Sequence, residues 1–435
     1  MPHARNEKNW QSHSWSAPQK YEKGCGKCSN QAGSATNSVR IAPVGACDRN
    51  CQVLSCASAV AENQPITKTA VKSNLSSFSE HLRQLIEVAP EWLSQEDQFN
   101  AEAKELFTLQ FESNLPYRRY CEFVGVSPKQ IESWTQIPAL PTTTFKEYEV
   151  TSIPEAGRTL FFQSSGTTSG NRGRHYHFQQ SLRLYECSLL AWFRIRVLAN
   201  AKRRFRILSL TPPLELTPNS SLVHMFETIG REHGSSQNLF VGTVAADGGW
   251  QMDCGAAAKF IDASRTSGEA VLMLGTAFNY VHFIDALAER NLNVKLSPGS
   301  HVLETGGYKG RSRSIPRSQL HSDLSRILGV EPSQIITEYG MSELSSQAYS
   351  IPREADAPSP LFEFPPWARV QIISPETGRR AGEGCSGLIR VVDLANVWSA
   401  MVIQTEDLGV DHGTRFELAG RAPAAEARGC SLLPS

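Results

Sequence analysis

The sequence has little that would tie it to a membrane, a nucleic acid or an oxidising compartment. Its 435 residues contain no run near the roughly 18 apolar residues a spanning helix needs; the longest, Ala270–Phe278, runs into Asn279, His282 and Asp285. No apolar signal-peptide core opens the chain. Neither sign of charge prevails, with 43 Lys+Arg against 43 Asp+Glu. That removes the electrostatic reason to expect nucleic acid or an anionic membrane as partner. Internal repeats are also missing. These absences predict a cytoplasmic protein, and 40% hydrophobic with 20% charged residues suits a soluble chain with a sizeable core.

Cysteine is present but unevenly spread. Of ten, five (Cys25, Cys28, Cys47, Cys51, Cys56) fall in the first 56 residues, and Cys121, Cys187, Cys254, Cys385 and Cys430 are scattered. Without a secretion signal a disulfide framework is not expected. Cys25-Gly-Lys-Cys28 with Cys47 and Cys51 has spacing that could close a tetrahedral zinc shell. The surrounding Ser, Asn, Gln and Gly offer little to fold around a metal. Residues 1–72 therefore read as a disordered, cysteine-containing leader, and 73–435 as the folded domain.

Within that domain Leu75, Phe78, Leu82 and Leu85 recur at helical spacing, and helical patterning continues over Phe99–Leu115. Strands are predicted at Arg204–Leu210, Asn238–Val244, Ala270–Leu274, His301–Glu304 and Gln334–Thr337. Helices are predicted at Gln180–Leu198, Ala256–Ser264, Tyr280–Arg290 and Ser318–Leu328. The alternation indicates an α/β fold, a mainly parallel sheet flanked by helices. After Trp367 the pattern becomes hairpin-rich: Val370–Ser374, a Glu376-Thr-Gly-Arg turn, then Gly387–Val392.

Four clusters carry the chemistry. The first, Ser164-Ser165-Gly166-Thr167-Thr168-Ser169-Gly170, concentrates hydroxyl and backbone donors on a chain able to wrap tetrahedral oxyanions, with Arg172 and Arg174 just beyond. It is not a Walker A loop, because no Gly-Lys-Ser/Thr follows. A flexible linker would not be bounded by Leu160-Phe-Phe and Tyr176-His-Phe. The second, Glu304-Thr-Gly306-Gly307-Tyr-Lys309-Gly-Arg311, follows a predicted strand, where a doubly wound sheet binds ligands; a tight turn with two solvated cations remains open. The third, Tyr339-Gly340-Met-Ser342-Glu343, offers an aromatic ring, a hydroxyl and a carboxylate able to hold Mg²⁺. In the fourth, Asp407 could accept two vicinal ribose hydroxyls and Arg421 could donate to sugar or phosphate. His175 could bind phosphate or cap a turn. For an acyl pocket, Leu214–Leu222, His224 and Leu274–Tyr280 are candidates, although apolar residues at strand ends are more often core.

In this order the clusters resemble the adenylate-forming ligase superfamily, and within it the acyl-protein synthetase (LuxE-type) family. The resemblance runs from about Ser73 to the C-terminus and includes the closing Gly420-Arg-Ala-Pro and Arg428-Gly-Cys-Ser431. It implies the large N-terminal domain of that superfamily with a β-rich terminal portion, and ATP and Mg²⁺ as cofactors. Ser164–Gly170 would hold the triphosphate, Gly306 and Gly307 with Tyr339 and Gly340 the adenine, Ser342 the α-phosphate, Glu343 the metal, and Asp407 with Arg421 the ribose. Cys430 would carry the acyl group as a thioester; its tail position alone favours a bystander thiol, and the Arg-Gly-Cys-Ser resemblance reverses that.

Two departures from the superfamily pattern matter. The phosphate loop lacks the usual lysine, and Arg172 and Arg174 are the nearest cations. Only 14 residues, none of them lysine, follow Arg421, so the usual mobile C-terminal domain is not expected, and Arg174 or Lys309 would supply part of the charge its lysine gives. The short ending is what the acyl-protein synthetase branch shows. The implied function is ATP-dependent activation of a fatty acid and transfer to an enzyme cysteine, feeding an acyl-CoA-reductase-like partner that makes aldehyde. The alternatives are an acyl- or aryl-CoA ligase of the phenylacetate-CoA type, and a nucleotide-binding subunit without chemistry.

Overall fold

The computed structural model describes residues 74–164, 172–199, 203–235, 237–246, 248–306, 315–351 and 359–422. All of these lie in the compact unit Lys72–Ser435.

Three helices open the described chain: α1 (Leu75–Val88), α2 (Glu96–Ser113) and α3 (Leu115–Phe123). Asn74 starts α1 by accepting the Ser77 N–H at 2.9 Å, filling one of the donors a helix start leaves unpaired. The expected Leu75, Phe78, Leu82 and Leu85 stripe is buried, and α1 packs against α5 (Gln179–Arg196). Between α3 and α5 lie β1 (Leu140–Pro141), the short α4 (Thr144–Glu147), and a hairpin of β2 (Leu160–Gln163) with β3 (Arg174–His177).

The alternating region follows: β4 (Arg206–Ser209), α6 (Ser221–His233), β5 (Leu239–Phe240), β6 (Gly242–Val244), β7 (Trp250–Met252), α7 (Cys254–Ser267), β8 (Val271–Thr276), α8 (Ala277–Glu289), β9 (His301–Thr305), α9 (Arg317–Leu328) and β10 (Ile335–Tyr339). Strands β5, β4, β8, β9 and β10 lie side by side, all parallel. Their side chains alternate between faces with period two. Leu208, Val271, Met273, Val302 and Ile335 share one apolar cluster with α7, α8 and α9. Ile207, Leu272, Leu274, Leu303 and Ile336 belong to the other, with α5 and α6. Covering both faces makes each strand a near-continuous apolar run, as a parallel sheet requires.

One expectation changes. Asn238–Val244 is not one strand but β5 and β6, which join different sheets. Where the chain passes from one sheet to the other, Gly242 sits against the Thr211–Pro212 backbone, too close for any Cβ, and its N–H donates to the Thr211 carbonyl at 3.1 Å. The end of the chain is hairpin-rich, as expected. Strands β11 (Ala348–Ser350), β12 (Leu361–Glu363), β13 (Ala368–Ile373), β14 (Ser386–Asp393), β15 (Val402–His412) and β16 (Arg415–Arg421) extend the same sheet as an antiparallel wing, in the order β10-β11-β12-β16-β15-β14-β13. Early in the chain, β1 joins this wing, pairing in parallel with β15 (Leu140 opposite Ile403, Pro141 opposite Gln404). Among the described residues no helix is long and apolar enough to cross a membrane.

Candidate active site

The segment Gly340–Gln347 connects the last parallel strand, β10, to the first antiparallel one, β11, and carries Ser342 and Glu343. Both side chains are buried, and Ser342 Oγ donates to Glu343 Oε2 at 3.3 Å. Burial raises the Glu343 carboxyl above its usual range, and Ser342, Lys146 and Arg421 pull against that rise. The base of the hydroxyl-rich loop reaches the same point: Ser164 Oγ accepts the Gly173 N–H at 2.9 Å, and Ser164 N donates to Gly173 O at 3.0 Å. A Cβ on Gly173 would stand 3.1 Å from Ser164 Oγ, 3.2 Å from Glu343 Oε1 and 3.2 Å from Phe145 Cβ. Glycine is therefore what lets the loop base close onto the Glu343 carboxylate.

His175, left open between phosphate ligand and turn cap, is neither. Its Nδ1 lies 2.9 Å from the Ser342 carbonyl. A carbonyl only accepts, so Nδ1 carries the hydrogen. Burial lowers its pKa to about 4, which keeps the ring neutral. It acts as a strut beneath Ser342.

Beside these residues stands an ordered triad. Tyr339 OH donates to Asp407 Oδ2 at 2.9 Å, and Arg421 Nε donates to Asp407 Oδ1 at 2.8 Å. The β15–β16 pairing sets Asp407 opposite Arg421. Burial first, and then the Asp407 charge, push the Tyr339 phenol well above its usual range, so it remains a hydroxyl donor. Each Asp407 oxygen keeps a lone pair beyond the bond it accepts, the capacity two vicinal hydroxyls would use.

A cavity of about 240 Å³ lies along the loop base, lined by Lys146, Glu149, Gln163, Arg172, Arg174 and Tyr176 among others. Arg174 is exposed, its guanidinium 5.3 Å from the Phe161 ring centre. Lys146, which sequence reasoning missed, is the cation whose charge acts on Glu343 together with Arg421. Nothing in Thr142-Thr-Thr-Phe-Lys146 announces a ligand. The residue reaches the site only because β1 pairs with β15, two strands more than 260 positions apart in sequence.

A Mg²⁺ ion is tested by what surrounds Glu343. No ion pair of Glu343 occurs among the described residues, and its one side-chain hydrogen bond comes from a neutral hydroxyl. No group of three or more His, Cys, Asp or Glu there forms a metal cluster. A buried carboxylate without an ion pair among the described residues, beside the Ser164–Gly173 loop base, fits Mg²⁺, which takes one or two protein oxygens and completes its shell with phosphate and water.

A family model described as "Acyl-protein synthetase, LuxE" matches residues 66–435. The chain belongs to this acyl-protein synthetase family. A curated relative of the synthetase, the long-chain-fatty-acid–luciferin-component ligase of Aliivibrio fischeri, is 21% identical over 350 residues, 76% of this chain and 85% of the relative. Among solved structures, an open conformation of 2-hydroxyisobutyryl-CoA ligase in complex with 2-HIB-AMP and CoA superposes with TM-score 0.55 at 14% identity. That match covers 75% of this chain and 74% of the ligase. The same ligase in its postadenylation state gives TM-score 0.55 over 75% and 67%. The synthetase thus has the adenylate-forming ligase fold and is an AMP-forming acyl ligase.

Of the residues singled out in the sequence of the synthetase, Ser164, Tyr339, Gly340, Ser342, Glu343, Asp407 and Arg421 gather around one end of β10 and the β15–β16 pair. Gly306, at φ +68°, ends the chain described after β9. Ser165 to Gly170, Gly307, Lys309, Cys430 and the possible zinc set Cys25, Cys28, Cys47 and Cys51 lie outside the described residues. Tyr280, one of the acyl-wall candidates, is core: fully buried, its hydroxyl donates to the Met273 and Leu303 carbonyls at 2.8 and 3.0 Å.

Proposed function

We propose that this synthetase activates a long-chain fatty acid with ATP and passes the acyl group to its own Cys430. The observation that carries the reading is the closure of the Ser164–Gly173 loop base on Glu343, next to the Tyr339–Asp407–Arg421 triad. That arrangement juxtaposes places for phosphates, a divalent cation and a ribose. The fatty-acid carboxylate attacks the α-phosphorus of ATP, pyrophosphate leaves, and an acyl-adenylate forms. Two anions must approach each other, so the site has to supply positive charge and donors. Lys146 in the cavity is assigned the main share of that role, with Arg172, Arg174 and Lys309 adding smaller contributions. Glu343 would hold Mg²⁺, which when bound neutralises phosphate charge. Ser342 would donate to the α-phosphate and Asp407 would accept the ribose hydroxyls, while Gly306, Gly307 and Gly340 would leave room for the adenine.

The second step is attack of the Cys430 thiolate on the acyl carbonyl, which forms the thioester and releases AMP. Burial pushes the Cys121 and Cys187 thiols up to about 12 and raises Cys254 as well, which makes them poor nucleophiles. Ala422, the last described residue, donates to the Glu406 carbonyl beside Asp407 at 3.1 Å. Eight further residues span at most about 28 Å, so the covalent tether keeps Cys430 within reach of the adenylate. The thioester then serves an acyl-CoA-reductase-like partner. In this reading residues 73–435 are the adenylation domain, residues 1–72 are a separate leader, and the protein works in the cytoplasm.

The test is intact-protein mass after incubation with Mg-ATP and a fatty-acid mixture, for wild type and Cys430→Ser. An ATP-dependent, hydroxylamine-labile adduct present in wild type and lost in the variant is expected. An adduct of equal size in both proteins would remove Cys430 from the role. No adduct, with activity appearing on addition of coenzyme A, would make the protein a CoA ligase. ATP binding without pyrophosphate exchange would make it a non-catalytic subunit.

A further inference from the structure

The Gly340–Gln347 segment has almost no backbone pairing of its own; Leu344 N to Met341 O, at 3.2 Å, is the internal bond it makes. Something else must hold Glu343 in place. On one side is the His175 strut. On the other is the turn that follows β14, Asp393-Leu-Ala-Asn396. Asn396 Nδ2 donates to the Glu343 carbonyl at 2.9 Å and to the Ala400 carbonyl at 2.8 Å, and Asn396 Oδ1 accepts from Ser345 Oγ at 3.1 Å. Asp393 Oδ2 accepts the Ser345 N–H at 2.8 Å, and its Oδ1 accepts from Ser346 Oγ at 2.7 Å and the Ala395 N–H at 3.0 Å.

The turn is anchored in its own right. Gln110 on α2 donates to the Asn396 and Val397 carbonyls at 2.8 and 3.0 Å and accepts the Met401 N–H at 3.1 Å. Trp367 Nε1 donates to Ser188 Oγ at 2.8 Å and to Ser346 Oγ at 3.2 Å. Asp393, Asn396, Gln110, Ser345 and Ser346 are all buried, Asp393 and Gln110 completely. Among the described residues no cation pairs with Asp393, so its oxygens are committed to neutral donors of this network. A charge buried that way is costly, and its bonds run to the peptides next to Glu343.

We propose that Asp393 and Asn396 are positioning residues for adenylation, fixing the 343–346 backbone so that the Glu343 carboxylate meets Mg²⁺ at a set place. Neither touches the nucleotide; they act through the main chain. The inference rests on the reading of Glu343 as the metal-binding carboxylate. Losing a partner that orients a metal-binding group typically costs about 10- to 100-fold in metal affinity or activity.

The test is pyrophosphate exchange measured against Mg²⁺ concentration, with thermal unfolding recorded for each protein. Asn396→Ala is expected to raise the Mg²⁺ giving half-maximal rate by about tenfold while leaving the fatty-acid KM unchanged. Ser345→Ala loses one side-chain bond and keeps the backbone bond to Asp393; it should shift the same parameter by about twofold to threefold and serves if Asn396→Ala folds poorly. Glu343→Gln is the reference. A shift in Glu343→Gln with none in either other variant would overturn the positioning role and leave the Glu343 reading standing. Wild-type Mg²⁺ dependence in all three would overturn both.

Discussion

Tyr339, at the end of β10, and Asp407, midway along β15 in the antiparallel wing, share a 2.9 Å hydrogen bond in a buried setting. The bond ties the last parallel strand to the antiparallel wing where the ribose acceptor is proposed. Removing the hydroxyl in Tyr339→Phe leaves Asp407 with the Arg421 bond alone and should lower kcat/KM for ATP by about tenfold. Asp407→Asn should cost about a hundredfold. Steady-state pyrophosphate exchange at varied ATP reads both; equal rates in Asp407→Asn and wild type would take the ribose away from this residue.

Cation identity is open to a direct comparison. Lys146 acts on Glu343, whereas Arg174 is exposed over Phe161. Lys146→Ala should lower kcat/KM for ATP by about tenfold to a hundredfold, the scale of a charge-assisted bond. Arg174→Ala should stay within about threefold, as exposed charges do. The reverse ranking would hand the role to Arg174.

Gly173 gives a steric prediction. In Gly173→Ala the new methyl meets Ser164 Oγ, Glu343 Oε1 and Phe145 Cβ at 3.1 to 3.2 Å, so the loop base or the carboxylate must give way. Exchange activity should fall by about tenfold or more, with a stability change of about 1 kcal/mol or less, because a few tenths of an ångström relieve the contact. Circular-dichroism melts beside the exchange assay would separate the two; lost stability with retained activity would contradict the close fit.

Glu338 gives a pH prediction. Burial is the main cause that lifts its carboxyl from 4.5 to about 7, against the Thr305 hydroxyl that donates to it. Between those two values the folded state holds a proton that the unfolded chain has released. Stability therefore falls as pH rises from about 4.5 to about 7 and stays low above that. Glu338→Gln keeps an acceptor for Thr305 without the charge. It should gain on the order of 1–3 kcal/mol over wild type at pH 8 and much less at pH 5. Denaturant unfolding at the two pH values checks the difference; an equal effect at both would refute a buried charge as the cause.

How much of this was legible in the sequence differs by level. The parallel block could be read because each strand and helix is a local pattern. Continuous apolar runs at Val271–Leu274 and Val302–Leu303 alternate with amphipathic helices whose caps, such as Thr276 and Asp253, are also local. The Ser164, Tyr339–Glu343 and Asp407 clusters were legible for the same reason, since each packs its chemistry into a few consecutive residues. What stayed hidden depends on pairings distant in sequence. Lys146 reaches Glu343 through the β1–β15 pair, Asn396 reaches the Glu343 carbonyl across 53 positions, and Gln110 reaches Asn396 across 286. His175 is a strut because its partner is a backbone carbonyl 167 positions away. The sequence by itself determined which groups are proposed to bind phosphate, metal and ribose. Only the tertiary structure decided which residues hold them in place, because buried polar groups take their hydrogen-bond partners from whatever the fold brings beside them.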